Sequence, residues 1–412
     1  MAKLAINGGE RTRTEGWPQW PPDDPGFLEN LRAVLASGVW GVGGEWTQRA
    51  TQMMGEYHGA RYGVALSSGT TALDVALRSV GVKVGTEVIV PPYTFIATAS
   101  SVVSVGAVPI FVDIDPDTFN LDPTKLEEAI TERTSAIIAV HIGGSPAAMD
   151  EIMAIARRHG LKVVEDCAQA HGAIYKGRKV GAIGDAGAFS FQSSKNVTAG
   201  EGGMLLTNDP DVFSRSWSIH NCGRVPEGEW YDHRVMGWNH RMTQFQGALI
   251  CRCMELLPEQ FERRARNGEH LRQRLAELEG VELQKLTDPS NVSAFHLYIF
   301  KYDPAAFDGL PRDRFLQALA AEGIPVSRGY NPLYREGVFA NNVHMDQFPF
   351  AAPYYEGHVD YSQVSCPVCE EICDNGGFWM PQRIGLADEK AMDDIVDAMI
   401  KIRDNLGELK GA

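Results

Sequence analysis

A lysine lying just beyond an apolar, strand-like run is a candidate nucleophile. In this 412-residue chain Lys195 ends GAFSFQSSK and precedes the glycine-rich turn AGEGG. Partial removal from water at such a place lowers the pKa of an amine and frees it to attack an aldehyde carbon. Most lysines are solvated surface charges, so the surroundings decide. Asp166 closes the earlier apolar run KVVED. A carboxylate there is costly to bury without a cation, which a bound group or a structural ion pair can supply. The stretch SSGTT, Ser67 to Thr71, follows another apolar run and opens a helical pattern. A helix N-terminus offers unpaired amides, Gly69 admits close approach, and the threonine hydroxyls add donors. The segment can therefore cup a phosphate or simply cap its helix. Tyr93 and Phe95 in PPYTF can stack on a planar ring or fill the core. Ser190 adds a hydroxyl at the end of the run that leads to Lys195.

The elements that must position these residues follow from periodicity. A proline-rich arm leads to a first helix, FLENLRAVLASG, ended by Gly38, and then to the glycine-rich VWGVGGEW. That run follows a helix and not a strand, so it reads as a loop near a pocket and not as a dinucleotide fingerprint. From Tyr62 onward short β-branched runs alternate with helical patterns: YGVALSS, EVIVPP, VPIFVDID, SAIIAVH, KVVEDCAQ, GAFSFQ and GGMLLTN. Such alternation predicts an α/β domain whose mainly parallel, mixed sheet lies between helices. Ligands in such sheets bind beyond the carboxyl ends of the strands, where each of the residues above falls. Past Trp238 a long helical pattern runs from Gln244 to Leu278. A tail follows with the strand FHLYIFKYD, the helix RDRFLQALAAEG and a last helix, DEKAMDDIVDAMIKIRDNL. The expected division is an arm and large domain at residues 1–249, then a linking helix and small α+β domain at 250–412.

An anion cup, an aromatic platform, a buried acid and a lysine, in that order along one α/β domain, are the groups that hold pyridoxal phosphate by its phosphate, ring face, ring nitrogen and aldehyde. Composition narrows the alternatives. A net charge of −15 without a lysine- and arginine-rich block argues against a nucleic-acid surface, and FERRARN around Arg263 reads as a solvated helix face. No run reaches the 18 or so apolar residues of a membrane span and MAKLAINGGERTR lacks a signal-peptide core, so a cytoplasmic protein without membrane partners is expected. Seven scattered cysteines argue against a disulfide framework. Cys366, Cys369 and Cys373 have spacings that place them on one helical face. With no fourth ligand nearby they read as buried structural thiols and not as a metal site.

The stretches SSGTTAL, EVIVPPYTFIATA, VVEDCAQAHGA, FSFQSSKNVTAGEGG and GWNHRMTQFQGAL resemble the DegT/StrS sugar aminotransferases, enzymes of fold type I that use pyridoxal phosphate, from about Trp17 to the last helix. The resemblance implies that Lys195 forms the Schiff base with the cofactor and that Asp166 pairs with the pyridinium nitrogen. Gln169 is expected near the phenolic oxygen, Phe95 stacked on the ring, and Gly69, Thr70 and Ser190 on the phosphate. It further implies a homodimer in which Asn239 reaches the partner's cofactor phosphate. Relatives that dehydrate sugars carry histidine at the lysine position, so Lys195 favours transamination.

The expected reaction moves an amino group from glutamine or glutamate to a keto-cyclitol or keto-sugar in natural-product biosynthesis. WYDHRVMGWNHRMTQFQGAL and CPVCEEICDNGGFWMPQRIGL look more like the glutamine:scyllo-inosose aminotransferases and 3-amino-5-hydroxybenzoate synthases than like nucleotide-sugar enzymes. A nucleotide-linked keto-sugar aminotransferase, a synthase-like dehydratase and a regulatory protein on the same scaffold are the alternatives. His240, Cys167 and the HIGGSP run depart from the common pattern, so His240 and His141 either shape an unusual pocket or are hydrogen-bonded structural histidines. Arg224, Arg241 and Arg328 are each candidates for the donor carboxylate.

Overall fold

The computed structural model describes residues 3–342 and 345–409; the outermost residues of both expected domains, 1–2 and 410–412, lie outside it. Helix α1 (Pro25–Ser37) starts on an Asp24 cap and ends at Gly38, whose φ of 69° is a left-handed stop. The glycine-rich run is a loop as expected through Gly44, but its last two residues, Glu45 and Trp46, open helix α2 (Glu45–His58). Then come β1 (Tyr62–Leu66), α3 (Gly69–Val80), β2 (Glu87–Val90), α4 (Ala97–Ser104), β3 (Val108–Phe111), the one-turn α5 (Leu126–Ala129), β4 (Thr134–Val140), α6 (Met149–His159) and β5 (Lys162–Asp166). A two-residue hairpin, β6 (Ile174–Tyr175) and β7 (Arg178–Lys179), precedes β8 (Ala186–Ser190), β9 (Gly203–Thr207) and α7 (Pro210–His220).

The seven-stranded sheet has the order β1-β9-β8-β5-β4-β2-β3. Its five central and right-hand strands run parallel, and β9 lies antiparallel to both β1 and β8. Burial on both faces is what the β-branched runs require. Along β4, Ala136, Ile138 and Val140 join the core beneath α3, α4 and α7, while Ile137 and Ala139 join the core beneath α2 and α6. The period of two thus divides one strand between two layers.

Helix α8 (Gln244–Leu275) opens with a capping box between Thr243 and Gln246. Its stretch from Ala248 through Met254 to Phe261 packs on the large sheet, and Leu271 and Leu275 belong to a third core. That third core encloses the antiparallel sheet β10-β11-β12, formed by β10 (Val281–Leu283), β11 (Leu297–Tyr302) and β12 (Gly377–Pro381), under α9 (Arg312–Ala321) and α12 (Glu389–Asp404). Leu4 from the N-terminal arm packs into it. The intervening α10 (Gly337–Ala340) and α11 (Pro367–Glu371) return to the large sheet. Cys366, Cys369 and Cys373 are buried there, yet not on one regular helix face. Cys366 precedes α11, and a π-type turn over Ile372–Gly376 carries Cys373. Cys369 and Cys373 bring their sulfurs within 3.8 Å of each other.

Candidate active site

The carboxyl ends of β1, β5 and β8 converge on a cavity of about 590 Å³. Seven expected residues line it: Gly69, Thr70, Phe95, Asp166, Gln169, Ser190 and Lys195. Ser68 caps α3 by accepting from the Thr71 amide, and Thr71 reciprocates. The capping reading of SSGTT therefore holds for these two, while Gly69 and Thr70 open the first turn toward the cavity. Gly69 is required by packing, since a Cβ there would sit 2.6 Å from Ser190 Cβ. The start of α3 lies directly on the end of β8.

Asp166 is 6% exposed. Its Oδ2 accepts from Thr98 Oγ1 at 2.8 Å and its Oδ1 from the Ala168 amide at 3.1 Å. Burial raises its pKa against those bonds and against the nearby Lys195 charge. Among the described residues it has no salt-bridge partner within 4 Å, so its charge faces the cavity. Lys195 stands on the loop after β8, where its backbone N–H donates to Gln192 O at 2.9 Å. Burial lowers its pKa to about 8 although Asp166 opposes the shift. About a tenth of the amine is therefore unprotonated at pH 7, far more than for a solvated lysine.

Helix α4 starts only at Ala97, so Thr94 and Phe95 remain in the preceding loop. Phe95 is 57% exposed at the cavity wall, whereas Tyr93 is buried against Phe119 and Tyr330. Of the two aromatics, Phe95 presents an open ring face and Tyr93 is core. Gln169 accepts from the Gly143 amide at 2.7 Å and donates to Tyr330 OH at 2.9 Å. Tyr330, Trp379, Leu297, His296 and Glu201 also line it. Sequence reading missed all five, together with Thr98. His296 was in view inside FHLYIFKYD, but nothing in that run says that it faces Lys195 at 3.5 Å.

Asn239 is exposed and away from this cavity, paired with Asn221 beside the end of β1. The three candidate arginines also stand outside the lining. Arg241 donates to Asn221 Oδ1 and Cys222, Arg224 to Trp230 O, and Arg328 is exposed. His141 does not shape the pocket. It is fully buried, its Nδ1 accepts from the Ala147 amide, and its Nε2 donates to Glu165 at 3.1 Å. Burial alone would raise Glu165, but His141 and the amides of Gly181 and Gly184 hold its pKa down. His141, Glu165 and Cys167 are grouped closely enough for a metal, but the histidine lone pair and the carboxylate oxygens are already committed. His240 is likewise outside the cavity lining, stacked on Trp238 while its carbonyl accepts from the Ser67 amide.

Residues 22–400 match the DegT/DnrJ/EryC1/StrS aminotransferase family. An L-glutamine:2-deoxy-scyllo-inosose aminotransferase from Streptoalloteichus tenebrarius is 38% identical, with 99% of each chain covered. A Streptomyces kanamyceticus protein, provisionally assigned as an L-glutamine:3-amino-2,3-dideoxy-scyllo-inosose aminotransferase, is 39% identical over 100% of this chain and 99% of its own. The crystal structure of 3-amino-5-hydroxybenzoic acid synthase superposes with a TM-score of 0.84 at 30% identity, covering 94% of this chain and 100% of that one.

Proposed function

Since the chain belongs to the DegT/DnrJ/EryC1/StrS aminotransferase family, we propose that it moves the amino group of L-glutamine or L-glutamate to the carbonyl of a keto-cyclitol. It is an aminotransferase that works with pyridoxal phosphate. The residues present fit that cofactor. Asp166 is a buried carboxylate whose pKa burial raises; Lys195 lies nearby, but among the described residues no cation pairs with it within 4 Å, and a protonated ring nitrogen would supply that partner. The cradle of Gly69 against Ser190, closed to any Cβ, leaves room for phosphate oxygens at a helix N-terminus.

The observation that carries the proposal is the convergence of Lys195, Asp166 and the open turn at Gly69 and Thr70 on one cavity. Bound pyridoxal phosphate supplies an aldehyde that condenses with amines and a protonated ring that accepts an electron pair. In this reading Lys195 anchors it, Asp166 keeps the ring nitrogen protonated, and Gly69, Thr70 and Ser190 hold the phosphate. Phe95 covers the ring face. Gln169, fixed between Gly143 and Tyr330, lies by the phenolic oxygen. Once free, the Lys195 amine would take the proton from the donor Cα and hold it for return. Its low pKa suits both halves of that transfer.

The keto-cyclitol acceptor is supported by relatives named for inososes at 38–39% identity over nearly the whole chain. The wall of Phe95, Tyr330 and Trp379, with Glu201 at its edge, suits a polyhydroxylated ring with apolar faces and hydroxyl rims. The proposal includes a homodimer in which Asn239 reaches the partner's cofactor phosphate. It is supported by the exposed large apolar side chains Trp40, Val42, Trp230, Tyr231, Met236 and Trp238, in the segments before α2 and around Asn239. The division at 249/250 is retained as a large and a small domain sharing α8, in keeping with the separate third core. Among the described residues no helix is long and apolar enough to cross a membrane.

The test is spectroscopic. L-glutamine added to holoenzyme is expected to remove the visible band, and scyllo-inosose or its 2-deoxy analogue to restore it. Restoration only by a nucleotide-linked keto-sugar would overturn the acceptor assignment, and formation of an aromatic amine with loss of water would favour the synthase-like alternative.

A further inference from the structure

His296 stands just before β11 and is 5% exposed. Its tautomer is set by the residue next to Lys195. Asn196 donates its amide nitrogen to Ala294 O at 2.7 Å, which turns its Oδ1 toward His296 Nδ1 at 3.3 Å. An acceptor opposite Nδ1 assigns the proton to that nitrogen. Nε2 is then a bare lone pair, and it faces Lys195 Nζ at 3.5 Å. Burial, and after it the Lys195 charge, holds the imidazole pKa well below its ordinary value, so the ring stays neutral and accepts without taking the proton. The other charged or titratable groups around this pair are Asp166 on the cavity side and His171 and Arg264 behind His296.

We propose that His296 is a positioning residue, a resting acceptor that receives the Lys195 amine whenever that amine is not bonded to the cofactor. The inference rests on the reading of Lys195 as covalent anchor. An anchor displaced by each substrate needs a fixed place to wait, or its flexible four-carbon stem samples many rotamers. The contact is long enough for a small swing of the stem to make or break it. A neutral acceptor stabilises the ammonium form, so it offsets part of the burial that depresses the amine.

Two measurements test this. In the apoprotein, competitive acetylation across a pH series, with the Lys195 peptide quantified by mass spectrometry, reads the pKa of the amine. His296→Leu is expected to lower it by about one unit, a tenfold loss of protonation, and His296→Gln, which keeps an acceptor, to restore it. In holoenzyme at a fixed ratio of L-glutamine to its 2-oxo acid, His296→Leu is expected to shift the half-reaction about tenfold toward the lysine-linked form. A merely structural histidine would change rates and melting temperature without moving that equilibrium. If His296→Leu does not fold, His296→Asn, whose shorter amide falls short of Nζ, replaces it. Equal titrations in the wild type and both variants, or equal shifts in both variants, would overturn the proposal. Persistence of the visible band in Lys195→Ala would instead overturn the anchor reading, and the apoprotein titration separates the two failures.

Discussion

Gly69→Ala is a one-carbon perturbation whose consequence follows from a single contact. The new Cβ would lie 2.6 Å from Ser190 Cβ and 3.0 Å from its Oγ, where ordinary contact begins near 3.4 Å. Ser190 cannot retreat, because it is the last residue of β8, paired with Gly203 and 8% exposed. The first turn of α3 must therefore lift by about 0.8 Å, at an overpacking cost of about 1–3 kcal/mol. The better helix propensity of alanine returns less than about 1 kcal/mol of that. The same lift draws the Gly69 and Thr70 amides away from a bound phosphate. Hydrogen bonds to a charged group contribute about 1.5–3 kcal/mol each, so loosening one weakens cofactor affinity about 10- to 100-fold. Titrating apoprotein with pyridoxal phosphate by fluorescence quenching measures this directly, with inorganic phosphate as competitor. Thr70→Val, which removes a hydroxyl without a clash, is expected to weaken binding less and to leave the apoprotein melting temperature nearly unchanged. Wild-type affinity and stability in Gly69→Ala would refute the argument that the cradle is built from this contact.

Lys195 has a folded pKa of about 8 against 10.5 for a free lysine, so the unfolded chain binds more protons between those values and apoprotein stability rises with pH across that window. Lys195→Met should therefore stabilise the apoprotein at pH 7 by up to about 3 kcal/mol, with the advantage vanishing near pH 10.5 in thermal melts; an advantage constant in pH would contradict the assignment. Asp166→Asn is expected to reduce kcat on the order of a hundredfold or more while the visible band persists, because a neutral amide no longer holds the ring nitrogen protonated. Mixing Lys195→Ala with Asn239→Ala chains should restore activity in part if each site takes Asn239 from the other subunit, whereas two variants that fail to complement would place Asn239 outside the partner's site.

Strand ends were legible because they combine two strong local signals, an apolar run and an abrupt change to small or polar residues. Asp166, Ser190 and Lys195 fall at such points, and the seven strands of the large sheet follow the same rule. Helix α2 was not legible. Its sequence EWTQRATQMMGEYH sits between glycine-rich and strand-like runs, and its buried face of Trp46, Ala50 and Met54 is intelligible only once α8 is seen packed against it. Tyr330 and Trp379 belong to the chain beyond α8, and they reach the cavity edge through long-range contacts: Trp379 pairs with Ile299 and Ser327, and Tyr330 meets Gln169 and Tyr93. His141 was open between a pocket role and a structural one, because its position after β4 resembles the other strand ends. The buried Glu165 turns it inward, away from the cavity. Cys366 to Cys373 kept their predicted burial but not their single face, since periodicity assumes a regular helix and the turn at Ile372–Gly376 is not one.

The central claim is amino-group transfer to a cyclitol ketone through Lys195. Incubating holoenzyme with amino-¹⁵N-labelled L-glutamine and 2-deoxy-scyllo-inosose, then locating the label by NMR and mass spectrometry, tests it most directly. The expected result is ¹⁵N bonded to the former carbonyl carbon of the cyclitol, stoichiometric 2-oxo acid, and neither product with Lys195→Ala. Label remaining in glutamine, or a cyclitol amine formed equally well by Lys195→Ala, would contradict it.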